Sequence, residues 1–395
     1  MTTELFEPLA LPCGIVLNNR IAKSAMSDSL GDGCGTPTAE QINLYRRWAE
    51  GGLALSIIGE VQGSPWFAEK PGNLVLHRGA DLAPFRQLAE AGGVGGAQLW
   101  VQLGHAGAMA YPPISAPKGP SAMDIPGLSC AALSVAEIKE IPMQFAETAK
   151  LAQSAGFGGV QIHAAHGFLL SQFLSPLFNK RGDAYGGSIQ NRMRLLLDVI
   201  AQVRVVVGPA FGIAVKLNAT DQLEGGFEAG DALSVVAALN ATSVDLIDIS
   251  GGTYFPGARA ASDSAGKGPY FVDFAKAARD VTSKPLMATG GFKTRQQAQE
   301  AIAKGNVDMV GLARSLILDP DLPNAWRAGD RTAPAFPKFT DPPEGGITAW
   351  YTMRLTALAT GQEADFDTSL EHAIAQYDAR DAARTQAWSA FFGPV

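Results

Sequence analysis

Two of the chain's five histidines, His163 and His166, lie three residues apart in the segment HAAHGF. Imidazoles at this spacing suit either a metal ion or two hydrogen-bond donors held side by side. A zinc site would need a third ligand, but the chain has no H-E-x-x-H motif and Asp183 lies well downstream. As donors, the two rings would hold a carbonyl or nitro oxygen. Polarising that oxygen makes the β-carbon of a conjugated alkene a better hydride acceptor.

A second set of residues has the chemistry needed to bind a phosphorylated ring. Gly290 and Gly291 would let backbone N–H groups approach a phosphate, although a tight turn is the alternative, and Arg314 adds a bidentate charge. Lys216 lies in an apolar strand, where it either pairs with an acid inside the fold or places a positive charge beside an electron-rich ring. Gln102, in an equally apolar run, could bind the edge of that ring. Flavin mononucleotide (FMN) meets all of these requirements.

The elements that must position these side chains are short apolar runs separated by helix-length amphipathic stretches. Eight such runs are predicted as strands, at residues 19–26, 53–59, 96–103, 159–165, 212–219, 245–250, 284–291 and 307–314. Eight strands that alternate with helices predict a closed (β/α)8 TIM barrel. A doubly wound open sheet is the alternative, but no G-x-G-x-x-G follows the first strand. Ligands of such barrels bind at the carboxyl ends of the strands, where these side chains fall.

The chain is predicted to divide into two parts. Residues 1–330 form the barrel, and the segment before residue 18 forms a hairpin that closes its floor. Residues 331–395 comprise a Pro-rich connector and a helical extension, which packs on the barrel or lies at a subunit interface of a homo-oligomer.

Composition narrows the possible partners and the location. A net charge of −7 gives no basic footprint for nucleic acid, and no run approaches the roughly 18 apolar residues of a membrane span. The N-terminus carries acidic residues and no apolar signal region, so a cytoplasmic protein is expected. Cys13, Cys34 and Cys130 show no C-x-x-C spacing, which argues against an iron–sulfur or zinc cluster. A small-molecule substrate is the expected partner.

One long stretch of the sequence matches a known family. The run HAAHGFLLSQFLSPLFNKRGDAYGGSIQNR closely resembles the strand-four segment of the Old Yellow Enzymes, FMN-dependent ene-reductases on a TIM barrel. SAMS, VQLGHAG, ATGGF and GLARSLILDP match other landmarks of that family in the same order, over approximately residues 4 to 325. The resemblance implies an oxidoreductase that passes hydride from NADH or NADPH, through FMN, to an activated alkene. Both substrates would use one pocket in turn.

The resemblance also assigns roles to individual positions. His163 and His166 would bind the electron-withdrawing oxygen of the substrate, and Phe168 and Tyr254 would border the same pocket. Ser27 would lie near N5 and O4 of the flavin. The full set of implied flavin contacts is Ser24, Ala25, Met26, Ser27, Val61, Gln102, Lys216, Gly290, Gly291, Ala313 and Arg314.

Two positions depart from the family pattern. Phe168 stands where relatives have the tyrosine that protonates the α-carbon, and a phenyl ring has no proton to give. The proton would then come from water or from Tyr254, Tyr111 or Tyr185. Lys216 stands where relatives have arginine, which keeps the charge but loses the planar fork.

Three functions remain open from the sequence. The first is an ene-reductase. The second is a flavin reductase of quinones, nitro compounds or oxygen, with weak alkene reduction because of Phe168. The third is a flavin-binding or scaffold protein without turnover, which uses the barrel and its aromatic tail for association.

Overall fold

The computed structural model describes residues 4–256, 258, 268–330 and 332–393. Eight parallel strands form a closed barrel, and we number them β1 to β8 in chain order. Each strand pairs with the next one along the chain, and β8 pairs with β1. The predicted (β/α)8 barrel is confirmed. The strands are Ile21–Met26, Leu55–Gln62, Gln98–Gly104, Gly159–Ala164, Gly212–Asn218, Leu246–Ser250, Leu286–Thr289 and Met309–Leu312.

Helices in the described ranges surround the barrel and continue beyond it. The first of them begins after Thr38, whose side chain accepts from the backbone N–H of Gln41, and Gly51 caps its carboxyl end. In chain order, α1 to α13 are Ala39–Glu50, Ala83–Gly92, Val135–Ser154, Leu169–Leu174, Ile189–Arg192, Arg194–Val207, Ala229–Leu239, Val272–Arg279, Arg295–Ala303, Arg314–Leu318, Leu322–Arg327, Gly346–Thr360 and Leu370–Phe392. None of these helices combines the length and the apolar composition that a membrane span requires.

The amino end of the barrel is filled by apolar side chains. An antiparallel hairpin, Leu9–Ala10 with Val16–Leu17, packs there against the first residues of the strands and against Trp100. The Trp100 ring is fully buried, and a Cβ at Gly159 of the neighbouring strand would come within 2.5 Å of it. Truncating such a ring typically costs about 3–5 kcal/mol of stability. The side chains that the sequence analysis singled out for chemistry lie at the opposite, carboxyl end.

The C-terminal helices contact the loops at that carboxyl end. Trp388 of α13 is buried in a cluster with Ala68, Val75 and Ile114, which follow β2 and β3. Arg384 of the same helix donates to the backbone oxygen of Ser29, 2.6 Å away. α13 thus lies beside the loops after β1 and β2.

Candidate active site

A chain of hydrogen bonds crosses the barrel interior near the carboxyl ends of the strands. The amide nitrogen of Gln102 donates to the amide oxygen of Gln161 at 2.7 Å, and the amide nitrogen of Gln161 donates to Asp248 at 3.0 Å. Asp248 also accepts from the hydroxyl of Thr289 at 2.6 Å, and that hydroxyl is hydrogen-bonded to Ser24. All five side chains are buried. They form a polar layer that joins β1, β3, β4, β6 and β7.

Lys216 is the cation of this layer. Its Nζ lies 3.1 Å from Asp248 and donates to the hydroxyl of Ser24 at 3.4 Å. The acid partner that the sequence left as one alternative is therefore present. The ion pair also holds the ammonium group at a fixed position. The same residue can therefore provide a positive charge beside a bound ring, which was the other alternative. The register puts Lys216 opposite His163 of β4.

The two histidines come together as the sequence predicts. The ring centroids of His163 and His166 are 5.2 Å apart, with an interplanar angle of 78°. Nε2 of His166 lies 2.9 Å from the Ser250 hydroxyl, and its backbone N–H donates to Asn218. His166 has a left-handed backbone (φ 61°), which is uncommon for a residue with a side chain. Its ring is thus held by contacts on β5 and β6.

Both imidazoles are neutral near pH 7. Burial, together with the charge of Lys216, lowers the pKa of His163 to about 3. Burial also lowers the pKa of His166 well below its ordinary value, and His163 and Lys216 add to that effect. A neutral imidazole donates from one nitrogen and accepts at the other. The partner of each Nε2 therefore decides whether Nδ1 is a donor.

The partner of His163 is Glu60, which the sequence analysis missed. Nε2 of His163 lies 3.2 Å from Oε1 of Glu60, and the two side chains are only 2% and 5% exposed. Burial raises the pKa of Glu60 to about 8, against an opposing effect of the Lys216 charge. The signal was available in the sequence, because Glu60 is a carboxylate in the apolar run LSIIGEV, just as Lys216 is a cation in VKLNA. Gln161 and Asp248 are likewise polar residues in apolar strands, and the sequence analysis missed them too.

The aromatic residues predicted for the substrate side also lie near the histidines. Phe168 is buried, with its ring 5.0 Å from that of His163. Tyr254 is 65% exposed, and its ring is 6.2 Å from His166 and 5.8 Å from Phe168. Tyr185 packs against Phe173 instead. Tyr111 packs with the α13 cluster around Trp388. Of the three tyrosines considered, Tyr254 is the one whose ring contacts the histidine pair.

The residues predicted to bind a phosphate follow β7 and β8. Gly290 and Gly291 have φ angles of 118° and 79°, and a Cβ on Gly291 would overlap the carbonyl oxygen of Gly268. The guanidinium group of Arg314 lies over the Tyr351 ring, 5.5 Å from its centroid, and makes no hydrogen bond or ion pair with the residues that the structure describes. An unpaired, half-buried guanidinium beside a glycine turn fits the phosphate of FMN.

The remaining predicted flavin contacts lie on the same end of the barrel. Ala25 and Met26 end β1 and are partly exposed, and Ser27, which follows them, is exposed. Val61 is buried next to Glu60, and Ala313 joins β8 to α10. The structure thus puts the predicted flavin-binding residues at the carboxyl ends of the barrel strands or directly after them. Their individual roles remain predictions.

The chain matches the model of the NADH:flavin oxidoreductase / NADH oxidase family over residues 4–331. It is 35% identical to the NADH-dependent flavin oxidoreductase iliE of Hypocrea jecorina (strain QM6a), with 80% of this chain and 87% of that protein covered. It is 32% identical to an NADPH dehydrogenase of Bacillus subtilis (strain 168), with 81% and 93% covered. A similar relative from Neonectria sp. (strain DH2) is longer, and the match spans only 49% of it.

Solved structures give the same result. An old yellow enzyme homologue from Zymomonas mobilis superposes with a TM-score of 0.75 at 25% identity, covering 89% of this chain and 99% of that one. A morphinone reductase variant in complex with tetrahydroNAD gives a TM-score of 0.72 at 25% identity, covering 84% and 92%. The fold and site define a flavin oxidoreductase on a TIM barrel. The chain belongs to the NADH:flavin oxidoreductase / NADH oxidase family, and the resemblance to the Old Yellow Enzymes is confirmed. Its cofactor is FMN and its electron donor is a nicotinamide dinucleotide.

Proposed function

We propose that this protein reduces activated alkenes, namely α,β-unsaturated carbonyl compounds or nitroalkenes, with electrons from NADH or NADPH. The observation that carries the proposal is the neutral pair of His163 and His166, whose rings lie 5.2 Å apart. Nδ1 of His163 is buried and has no partner among the described residues. A buried donor without a partner costs free energy, which a ligand that bonds to it would recover.

Bound FMN supplies the hydride donor, and the side chains of the chain provide position and charge. Arg314 and the turn at Gly290 and Gly291 would hold the phosphate. Lys216 contributes a fixed positive charge in the barrel interior, which favours the anionic form of a reduced ring. His163 and His166 orient the acceptor oxygen and polarise the alkene through N–H donors.

Phe168 favours a second candidate function. Its buried ring lies 5.0 Å from His163 and carries no hydroxyl. Acceptors that need no proton at a defined carbon atom, such as quinones, nitro compounds or oxygen, would then be reduced faster than alkenes. Under this alternative the same flavin and histidines act, but the main acceptor differs.

The test is an absorption spectrum of the purified protein, titrated anaerobically with NADH or NADPH and then with acceptors. We expect flavin absorbance that bleaches with the nicotinamide and returns on adding cyclohexenone. If it returns with quinones but not with the enone, the second candidate is correct. A protein that takes up no FMN would contradict both candidates. A protein that binds FMN but whose flavin is not reduced by nicotinamides would also contradict both, and would leave a flavin-binding role without turnover.

A further inference from the structure

The backbone at Glu60 is distorted in a way that turns its side chain toward the histidines. The register of β2 against β3 shifts at this point, between Ile58 and Val61. Glu60 itself has a φ of 59°, in the left-handed region. Bulges of this kind re-aim a side chain, and a left-handed residue with a side chain costs on the order of 1 kcal/mol or more. Such strain at a buried carboxyl group points to a function.

The pairing of Glu60 with His163 determines what His163 offers to a ligand. At neutral pH the carboxyl group is protonated, because burial raises its pKa to about 8. A carboxylic acid donates to Nε2 of a neutral imidazole, and the ring proton must then reside on Nδ1. Nδ1 of His163 is the ring nitrogen without a described partner. The protonated Glu60 therefore makes His163 a donor toward the site.

The other oxygen of Glu60 lies close to a small cavity. The amide nitrogen of Gln62 is 3.5 Å from Oε2 of Glu60, and Gln62 lines a cavity of about 20 Å³ together with His105, Thr148 and Phe67. This volume holds about one water molecule. The amide oxygen of Gln62 is buried without a partner in the described chain, so a water there would be bound. A water in this cavity would thus bind to the same amide group whose nitrogen lies 3.5 Å from Glu60.

We propose that Glu60 is the proton-supplying positioning residue of this site: its carboxyl group holds Nδ1 of His163 as a donor and replaces the proton that His163 gives to the acceptor oxygen. The inference rests on the proposed alkene reduction. It answers a question that Phe168 raises, since the ring beside His163 has no proton to transfer.

Two protons move during the reduction of an enone, one from His163 and one from Glu60. Hydride from the reduced cofactor adds to the β-carbon of the enone, and the electron pair of the alkene moves onto the carbonyl oxygen. That oxygen takes the proton from Nδ1 of His163, while Nε2 takes the proton from Glu60. The product leaves as an enol and becomes the ketone in water, with a solvent proton on the α-carbon. Once the product has left, Nδ1 takes a proton from water in the emptied site and Nε2 returns its proton to Glu60, which restores the starting state.

Several charged or titratable groups face Glu60 and influence its proton affinity. They include Lys216 on β5, whose charge lowers the pKa of Glu60, His163 on β4, Glu69 in the loop after β2, and Tyr254, whose pKa the charge of Glu60 raises. His105, at the end of β3, lines the cavity but is neutral, because burial lowers its pKa to about 3. Glu69 is the matched control, since burial and the charge of Glu60 raise its pKa to about 8 as well.

The test compares Glu60→Gln with Glu69→Gln in the FMN-loaded protein. Glutamine can still donate to His163 but has no proton to transfer. We expect Glu60→Gln to lower kcat for cyclohexenone by roughly 100-fold, the usual contribution of a placed acid, and to leave its KM within about twofold. Ferricyanide, an electron acceptor that needs no proton, should be reduced at the wild-type rate by both variants. Glu69→Gln should retain enone reduction.

A spectroscopic measurement tests the same idea without turnover. The infrared carbonyl band of a protonated carboxylic acid should be present in the oxidised wild-type protein at pH 6 and weaken as the pH passes about 8. Glu60→Gln should lose the part of the band that Glu69→Gln retains. If Glu60→Gln does not fold, the pH dependence of the band in wild type and in Glu69→Gln still decides the protonation state.

The possible outcomes separate the two proposals. Unchanged enone kcat in Glu60→Gln, or a wild-type spectrum with no band that depends on Glu60, would overturn the role of Glu60. Wild-type protein that reduces ferricyanide but no enone would contradict the proposed function. It would also overturn the proton transfer inferred here, while the infrared band would still report whether Glu60 is protonated.

Discussion

Lys216 lies directly opposite Asp248 in the register of β5 and β6, and the two form an ion pair whose side chains are 1% and 0% exposed. Removing one partner of such a pair leaves an uncompensated buried charge. We expect Asp248→Asn to lower the free energy of unfolding by about 3–5 kcal/mol, measured by urea titration at saturating FMN. Glu300→Gln, which breaks the exposed pair with Lys304, is the control and should change stability little. Equal stability of Asp248→Asn and wild type would show that Lys216 does not depend on this partner.

Arg314 should determine the affinity for FMN. Its guanidinium has no anionic partner among the described residues, and it follows β8 beside the glycine turn. A charge-assisted hydrogen bond is worth about 1.5–3 kcal/mol, so Arg314→Ala should weaken FMN binding roughly 10- to 100-fold. The dissociation constant can be measured by the change in flavin fluorescence. Arg295→Ala, which removes a guanidinium from the Phe6 ring, should have no such effect. Wild-type affinity in Arg314→Ala would place the phosphate elsewhere.

His166 should act on the acceptor and not on the cofactor. Replacing it with alanine removes one proposed donor, which should raise the enone KM by at least about tenfold while FMN stays bound. His372→Ala, on the exposed face of α13, is the control. Steady-state kinetics at several enone concentrations separate KM from kcat. An unchanged KM would mean that His166 does not hold the acceptor.

Phe168→Tyr restores a hydroxyl next to His163. If proton supply limits alkene reduction, this variant should reduce cyclohexenone faster than wild type at an unchanged rate of flavin reduction. The position is buried, so an unsatisfied hydroxyl would cost about 1–3 kcal/mol of stability. Stopped-flow measurement of the two half-reactions distinguishes the effects. If enone reduction does not increase, Phe168 does not limit it.

The raised pKa of Glu60 also predicts a pH dependence of stability. Its pKa rises from the ordinary value of 4.5 to about 8 in the folded protein, so folding favours the protonated form. That contribution is complete below about pH 4.5 and is lost as the pH rises through about 8. As the pH rises from 5 to 9, the melting temperature of wild type should therefore fall relative to that of Glu60→Gln. If the difference in melting temperature between Glu60→Gln and wild type does not change with pH, the raised pKa of Glu60 is contradicted.

The barrel could be predicted from the sequence because its strands are apolar runs of regular spacing, and all eight were found within a few residues of their actual bounds. Lys216 and Gln102 were recognised because burying a polar side chain costs free energy unless a partner or a ligand binds it. Gln102 illustrates the limit: in the structure its amide donates to Gln161, and sequence patterns do not give partners across strands.

Glu60 could have been recognised as a carboxyl group in an apolar run, but its partner could not be predicted. Alternation along β2 cannot reveal a bulge, and it is the bulge that turns Glu60 toward His163. The position of Tyr254 beside the histidines, while Tyr111 and Tyr185 pack in other clusters, likewise depends on loops whose paths the sequence does not specify.

The most direct test of the central claim is the anaerobic reoxidation of NADH-reduced protein by cyclohexenone, followed at the flavin absorbance in a stopped-flow instrument. Wild type should reoxidise with saturation kinetics, and a protein carrying both His163→Ala and His166→Ala should be reduced normally but reoxidise at least about 100-fold more slowly. Reoxidation of the double variant at the wild-type rate, or none in wild type, would contradict the account.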